Sequence, residues 1–348
     1  MPVKPGYVRK PDFRRGAVEM IHGSGGRATA DLIHALFAAH FSNEWLDQGH
    51  DGAVMPPILH PVAVSCDAHV VKPLFFPGGD IGRLAICGTV NDVAMCGAKP
   101  LYIAASFILE EGFPFADLER IVASMAEAAK EAGVAIVTGD TKVVERGKGD
   151  GVYISTAGVG EKLVDEAISG KAACPGDKIL VSGNMGEHGM TIMSLRENMT
   201  FGTNLKSDCA PLADMVESIL KSAPHAHVLR DPTRGGLATT LNEIATESGV
   251  GMNLDEALIP VSDEVRAACE FLGLDPLYVA NEGKLIAIVP PEEAEAALAA
   301  MRAHPRGTNA AQIGTVTAEH PEFVEMTTLM GGVRTVDWLT GEQLPRIC

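Results

Sequence analysis

The sequence predicts an α/β or α+β fold in two domains, on three observations. Its 348 residues exceed what one ordinary hydrophobic core organises. Short Val- and Ile-rich runs alternate with helix-patterned segments along most of the chain. The pattern then restarts after a turn-rich joint at 161–175, where Cys174-Pro175-Gly176-Asp177 leads into a fresh apolar run. The expected units are a first domain over 1–165, a second α/β domain over 166–335, and a tail over 336–348.

The elements follow in order. Residues 62–65 read as a strand that delivers Asp67 at its end, and 84–96 as a helix of small residues closed by Gly97, Ala98 and Pro100. A buried strand is expected at 101–109. The clearest amphipathic helix lies at 115–132, with Pro114 at its start and Gly133 as its C-cap. Residues 134–138 read as a strand running into Gly139-Asp140, and 152–158 as another. In the second half strands are expected at 178–182, 227–230, 284–289, 312–316 and 323–326. Helices are expected at 236–247 and 292–304.

Composition narrows the function. With 46% hydrophobic, 21% charged and only 5% aromatic residues, the chain has the make-up of a globular enzyme. A net charge of −17, with no basic run to relieve it, argues against nucleic-acid and anionic-membrane partners. A polyphosphate ligand would need a divalent cation to mediate its contact. The seven cysteines (66, 87, 96, 174, 209, 269, 348) are odd in number and include no C-x-x-C pair, so neither a disulfide framework nor a zinc site is signalled. The basic N-terminus leads into no apolar stretch, and no run is long enough to cross a bilayer. A cytoplasmic protein is expected.

The usual nucleotide signatures, G-x-x-x-x-G-K-[ST] and G-x-G-x-x-G, are absent. Glycine-rich turns take their place, at Gly23, Gly25 and Gly26, at Pro77-Gly78-Gly79-Asp80, and at Arg234-Gly235-Gly236. Each alone reads first as a surface turn, although glycine lets backbone amides approach phosphate oxygens. The sharper signal is four aspartates in apolar surroundings: Asp67, Asp92, Asp140 and Asp231. One such carboxylate is a cap or ion pair; four point to a cation. Hard oxygen donors without companion His or Cys indicate Mg²⁺. Lys142 is either the ion-pair partner of Asp140 or a charge that stabilises phosphoryl transfer, and Glu282 either a cap or a general base. His188, His225 and His227 lack metal spacing and read as core or surface histidines. The last residue, Cys348, follows a turn-rich tail containing Gly341, with Gly331 and Gly332 upstream. It is either an accident of the terminus or a thiol group carrier, with Arg346 favouring its anion.

Together these stretches resemble the HypE family of hydrogenase expression/formation proteins, in the superfamily of aminoimidazole ribonucleotide and selenophosphate synthetases. The matching residues are 22–26, 67–100 with its Pro73-Leu74-Phe75-Phe76-Pro77-Gly78-Gly79-Asp80 block, 138–144, 229–242, 281–284 and the terminal Pro345-Arg346-Ile347-Cys348. The resemblance implies a two-domain synthetase-like homodimer. Its N-terminal domains pair their sheets into a barrel-like interface, ATP binds near the seam, and the C-terminal α/β domain is the smaller. It also implies Mg²⁺ on Asp67, Asp92 and Asp231 with Asp140 as a fourth ligand. Nucleotide contacts fall on Gly23, Gly25, Gly26, Asp80, Asn91, Thr138, Gly139 and Arg234, and the catalytic roles on Lys142, Glu282 and Cys348. In the family, Cys348 would receive a carbamoyl group from the carbamoyltransferase HypF. ATP-driven dehydration would turn it into a thiocyanate, and the cyanide would pass to iron on a HypC–HypD scaffold. The competing readings are a sister synthetase of the superfamily and a non-catalytic cysteine carrier.

Overall fold

A computed structural model of the chain describes residues 11–48, 51–197, 205–341 and 347. The first domain opens with α1 (Arg27–Leu32), which continues through a π-helical turn at Ile33–Ala38 into α2 (Ala39–Phe41). Its sheet strands are β1 (Val62–His69), β4 (Ala98–Glu110), β5 (Ala135–Val144) and β6 (Val152–Lys162). A two-stranded ribbon, β2 (Phe75–Phe76) and β3 (Gly79–Asp80), lies between the first two. The four strands form an open sheet in the order β1-β6-β4-β5, with only the β4–β5 pair parallel.

Alternation along the strands gives this sheet two unlike faces. Ile103, Ala105, Phe107 and Leu109 of β4 point inward, under α3 (Ile81–Met95) and α4 (Phe115–Ala132). Helix α3 buries twelve of its fifteen residues, because β1, β4, β6 and α4 surround it. Small residues allow that: a Cβ at Gly82 would lie 2.3 Å from the Ile121 carbonyl of α4. The outer face, which holds Val64, Tyr153, Ser106 and Ile108, is uncovered; Val64 is 65% exposed.

The second domain has the larger sheet, where a smaller layer was expected. Its strands are β7 (Lys178–Val181), β8 (Val228–Arg230), β9 (Gly251–Asp255), β10 (Ile286–Val289), β11 (Ala311–Thr317), β12 (Val324–Thr327) and β13 (Val333–Thr335). They run in the order β13-β12-β9-β11-β7-β10-β8. The helices are α5 (Glu187–Arg196), α6 (Ala213–Ser222), α7 (Gly236–Ser248), α8 (Asp263–Leu272) and α9 (Ala294–Ala303). Strand β10, paired on both sides by β7 and β8, is buried at every position, as a strand covered on both faces must be.

Two expectations shift. Asp67 lies within β1 rather than after it, and Gly139-Asp140 sits in the middle of β5 rather than in a loop. The tail also begins later than residue 336. Val336 is fully buried, its amide donates to Val324 O, and Tyr278 Oη donates to Asp337 O at 2.8 Å. No helix among the described residues is long and apolar enough to cross a membrane, and the described cysteines are all free thiols.

Candidate functional site

Three of the four aspartates converge where α3 meets the second domain. Asp67 comes from the inner face of β1, Asp92 from the last turn of α3 and Asp231 from the loop after β8. Neighbouring hydroxyls hold the first two: Thr89 Oγ1 donates to Asp67 Oδ2 at 2.8 Å, and Ser65 Oγ to Asp92 Oδ2 at 2.7 Å. Burial and then the Asp67 charge raise the Asp92 carboxyl. Burial and then the Asp92 charge push Asp231 up to about 7. Glu282, 5% exposed, is also raised well above the usual carboxylate range, by burial and by Asp231 and Asp208. Its Oε1 is buried without a hydrogen-bond partner, as is Asp208 Oδ2. The array is all hard oxygen, mutually repulsive and under-neutralised, so it fits a Mg²⁺ ion. His69, behind Asp67, is held to about 4 by burial and stays neutral.

Asp140 does not join them within the chain. Asp67, Thr156, Ala105 and Gly139 occupy one row across β1, β6, β4 and β5. Three strand spacings therefore separate Asp67 from Gly139, about 14 Å. Asp140 and Lys142 also project to the outer face with Ser106 and Ile108, opposite to Asp67. They pair with each other, Lys142 Nζ to Asp140 Oδ2 at 2.7 Å, and that contact lowers the Asp140 carboxyl. Thr138 shares their face, and the Gly23 turn lies against β5, where a Cβ at Gly23 would meet Val143 N at 2.7 Å. Gly25 (φ 77°) and Gly26 carry the turn into α1. The predicted site residues thus form two groups, one at each edge of the sheet.

Other predicted residues have structural partners. Asp80 caps α3, its Oδ1 accepting the Gly82 and Arg83 amides at 2.7 and 3.0 Å. Asn91 clips the domains together: Oδ1 accepts Leu212 N–H at 2.8 Å, while Nδ2 donates to Ala210 O and Glu282 O. Asn91→Ala leaves that buried amide unpaired, so we expect a loss of about 1–3 kcal/mol, read as a lower urea midpoint. Arg234 is exposed beside His69, where its charge opposes protonation of the ring. Gly236 lets its loop approach closely, since a Cβ there would lie 2.5 Å from Leu277 O.

Sequence reasoning missed several participants, including Ser65, Thr89 and Asp208, whose partners are distant in the chain. Asp208 Oδ1 accepts the Glu282 amide at 3.1 Å, and Lys284 Nζ bonds Glu187 at 3.0 Å beside it. Asp208, Glu187 and Lys284 line a polar cleft of about 380 Å³. His227, expected to be a core or surface histidine, pairs with Asp177 at 2.7 Å, and His225 pairs with Glu293. His188 is completely buried and bonds Ile347 O at 2.6 Å. Cys348 lies outside the described residues.

The chain matches the AIR synthase related protein N-terminal domain over 49–162 and the C-terminal domain of the same name over 174–326. The carbamoyl dehydratase HypE of Cupriavidus necator is 62% identical over 99% of both chains. This chain is a member of the HypE carbamoyl dehydratase family. The family's Escherichia coli enzyme is 46% identical over 95% of this chain and 99% of its own. The crystal structure of a HypE in complex with ATP superimposes with a TM-score of 0.92 at 54% identity, covering 95% of this chain and 99% of that one. That of a HypE–HypF complex does so with a TM-score of 0.78 at 49% identity, covering 88% and 99%.

Proposed function

We propose that this enzyme uses ATP to dehydrate a carbamoyl group carried on Cys348, giving a thiocyanate that supplies cyanide to the iron of a [NiFe]-hydrogenase. The observation that carries this reading is the under-neutralised carboxylate array in a member of a dehydratase family, with Ile347, the residue before the proposed carrier, held by His188. A solved relative binds ATP and another binds HypF, which fits a carbamoyl donor upstream. The HypC–HypD scaffold is the proposed acceptor.

The roles follow from the chemistry. Asp67, Asp92 and Asp231 would hold Mg²⁺, which screens phosphate charge when bound. ATP supplies the phosphoryl group that makes the carbamoyl oxygen a leaving group. The C–O bond then breaks, both N–H protons depart, and S–C≡N remains with ADP and phosphate. Glu282, buried and of raised pKa, is the group we assign to taking a proton from the amide nitrogen. Lys142 would stabilise negative charge on the transferring group.

In this reading two subunits share each site. The outer face of the first sheet would pair with that of a second copy, covering Val64, Tyr153 and Ile108. The pairing would carry the group on β5, with Gly23, Gly25, Gly26, Thr138, Gly139, Asp140 and Lys142, to the partner's carboxylates. Mixing two inactive variants tests this directly. Asp231→Asn and Lys142→Ala subunits, unfolded and refolded together, should regain about a quarter of wild-type turnover, because half the dimers are mixed and each has one intact site. If the sites are confined to single subunits, the mixture stays inactive.

A further inference from the structure

Ile347 is seated more deeply than a residue so near a chain end ordinarily is. Ile347 is 3% exposed and belongs to the same apolar cluster as Phe76, Ile192, Cys209 and Ala280. Its side chain meets a floor without side-chain atoms: a Cβ at Gly189 would lie 3.3 Å from Ile347 Cδ1 and 2.5 Å from Val279 Cγ1. Its carbonyl oxygen is 2.6 Å from His188 Nε2. The other ring nitrogen, Nδ1, is 2.8 Å from Ser207 Oγ, which itself accepts the Cys209 amide at 3.1 Å.

These bonds fix a direction. A carbonyl only accepts, so His188 Nε2 carries the proton. Nδ1 is then an acceptor, and the Ser207 hydroxyl must donate to it. Burial favours the same neutral ring, and Phe76 braces it edge-on at 5.5 Å. With Nδ1 already committed to Ser207, the buried Nε2–H has its partner only while the Ile347 carbonyl is in place.

We propose that α5 carries a socket for the chain's own penultimate residue, with His188 gripping the Ile347 carbonyl and Gly189 receiving its branched side chain. The ligand is an apolar β-branched residue read together with its backbone oxygen, one peptide bond before the carrier cysteine. His188 is thereby a positioning residue. It also connects to the chemistry, because Ser207 adjoins Asp208, whose carboxylate holds the Glu282 amide. This inference rests on the carrier role proposed for Cys348.

The test labels the Cys348 thiol with a bulky maleimide, without ATP or carbamoyl donor, and reads the mass of the terminal peptide. In His188→Leu and Ile347→Ala we expect labelling at least about tenfold faster than in wild type, the loss of one hydrogen bond or one buried side chain. Ile347→Val, which keeps the branched side chain and the carbonyl that His188 holds, should label as slowly as wild type. Single-turnover dehydration of carbamoylated Cys348 should fall by at least about tenfold in the same two variants. Because His188→Leu alters a buried site, Ile347→Ala at the chain end keeps the test valid should the first variant fail to fold. Unchanged labelling in Ile347→Ala overturns the socket. Faster labelling with unchanged dehydration overturns the positioning role. Failure of the carrier reading itself would show separately, as cyanide delivery by Cys348→Ala.

Discussion

Cys348→Ala is expected to abolish thiocyanate formation while leaving ATP affinity at the wild-type value. The carboxylates proposed to hold the nucleotide's cation come from β1, α3 and the loop after β8, and none depends on the terminal residue. The mass of the terminal peptide after carbamoylation reads the first quantity, and titration calorimetry with Mg·ATP reads the second. In the wild type that peptide should lose one water; in the variant no carbamoyl is taken up. Cys348→Ser sharpens the experiment. A thiolate, of unperturbed pKa about 8.5, leaves far more readily than an alkoxide. Serine therefore keeps the geometry of the carrier but should trap the group and pass on no cyanide. Hydrogenase maturation supported by either variant would remove Cys348 from the reaction.

The second large effect is a trade between stability and activity at Asp231. Its carboxyl is raised to about 7 by burial and by the Asp92 charge. An acid whose folded pKa is raised contributes stability below its unfolded pKa, and that contribution is lost as pH rises through the folded value. Near neutral pH and without a cation, the ionised array therefore opposes folding. Asp231→Asn removes one charge, so the metal-free protein should melt higher, by about 2–4 °C for each kcal/mol relieved. The same change removes a proposed cation ligand, and ATP turnover should fall about a hundredfold or more. Added Mg²⁺ should raise the melting temperature of the wild type and have less effect on the variant. A variant that melts lower without Mg²⁺ and keeps its turnover would show that Asp231 is a structural acid.

What the sequence disclosed was local. The helix at 115–132 was legible because its apolar stripe is bounded by Pro114 and by Gly133, which adopts the left-handed conformation (φ 69°). Asp67, Asp92 and Asp231 were legible because carboxylates in apolar runs are costly without compensation. Gly139-Asp140 misled, since a glycine–aspartate pair resembles a turn. It fits an edge strand whose outer face accepts polar side chains and whose inner face is crowded, since a Cβ at Gly139 would lie 2.3 Å from the Ala105 carbonyl. Asp80 looked like part of a phosphate loop and is a helix cap, two features with the same local residues. His188 carried no signal, because its decisive partner is 159 positions away. The acceptor role of Asp208 toward Glu282 spans 74 positions and was equally silent.

Asp337, whose carbonyl accepts from Tyr278, lies 11 residues before Cys348. Fully extended, such a leash reaches about 36–40 Å. On the proposed carrier role, a thiol at that chain distance would reach a second protein while its local concentration at the proposed site stayed near the millimolar range, as for a short linker. Handover of a reactive one-carbon cargo would then need no free intermediate in solution, and the distance at which a donor or acceptor must dock would be set by chain length alone.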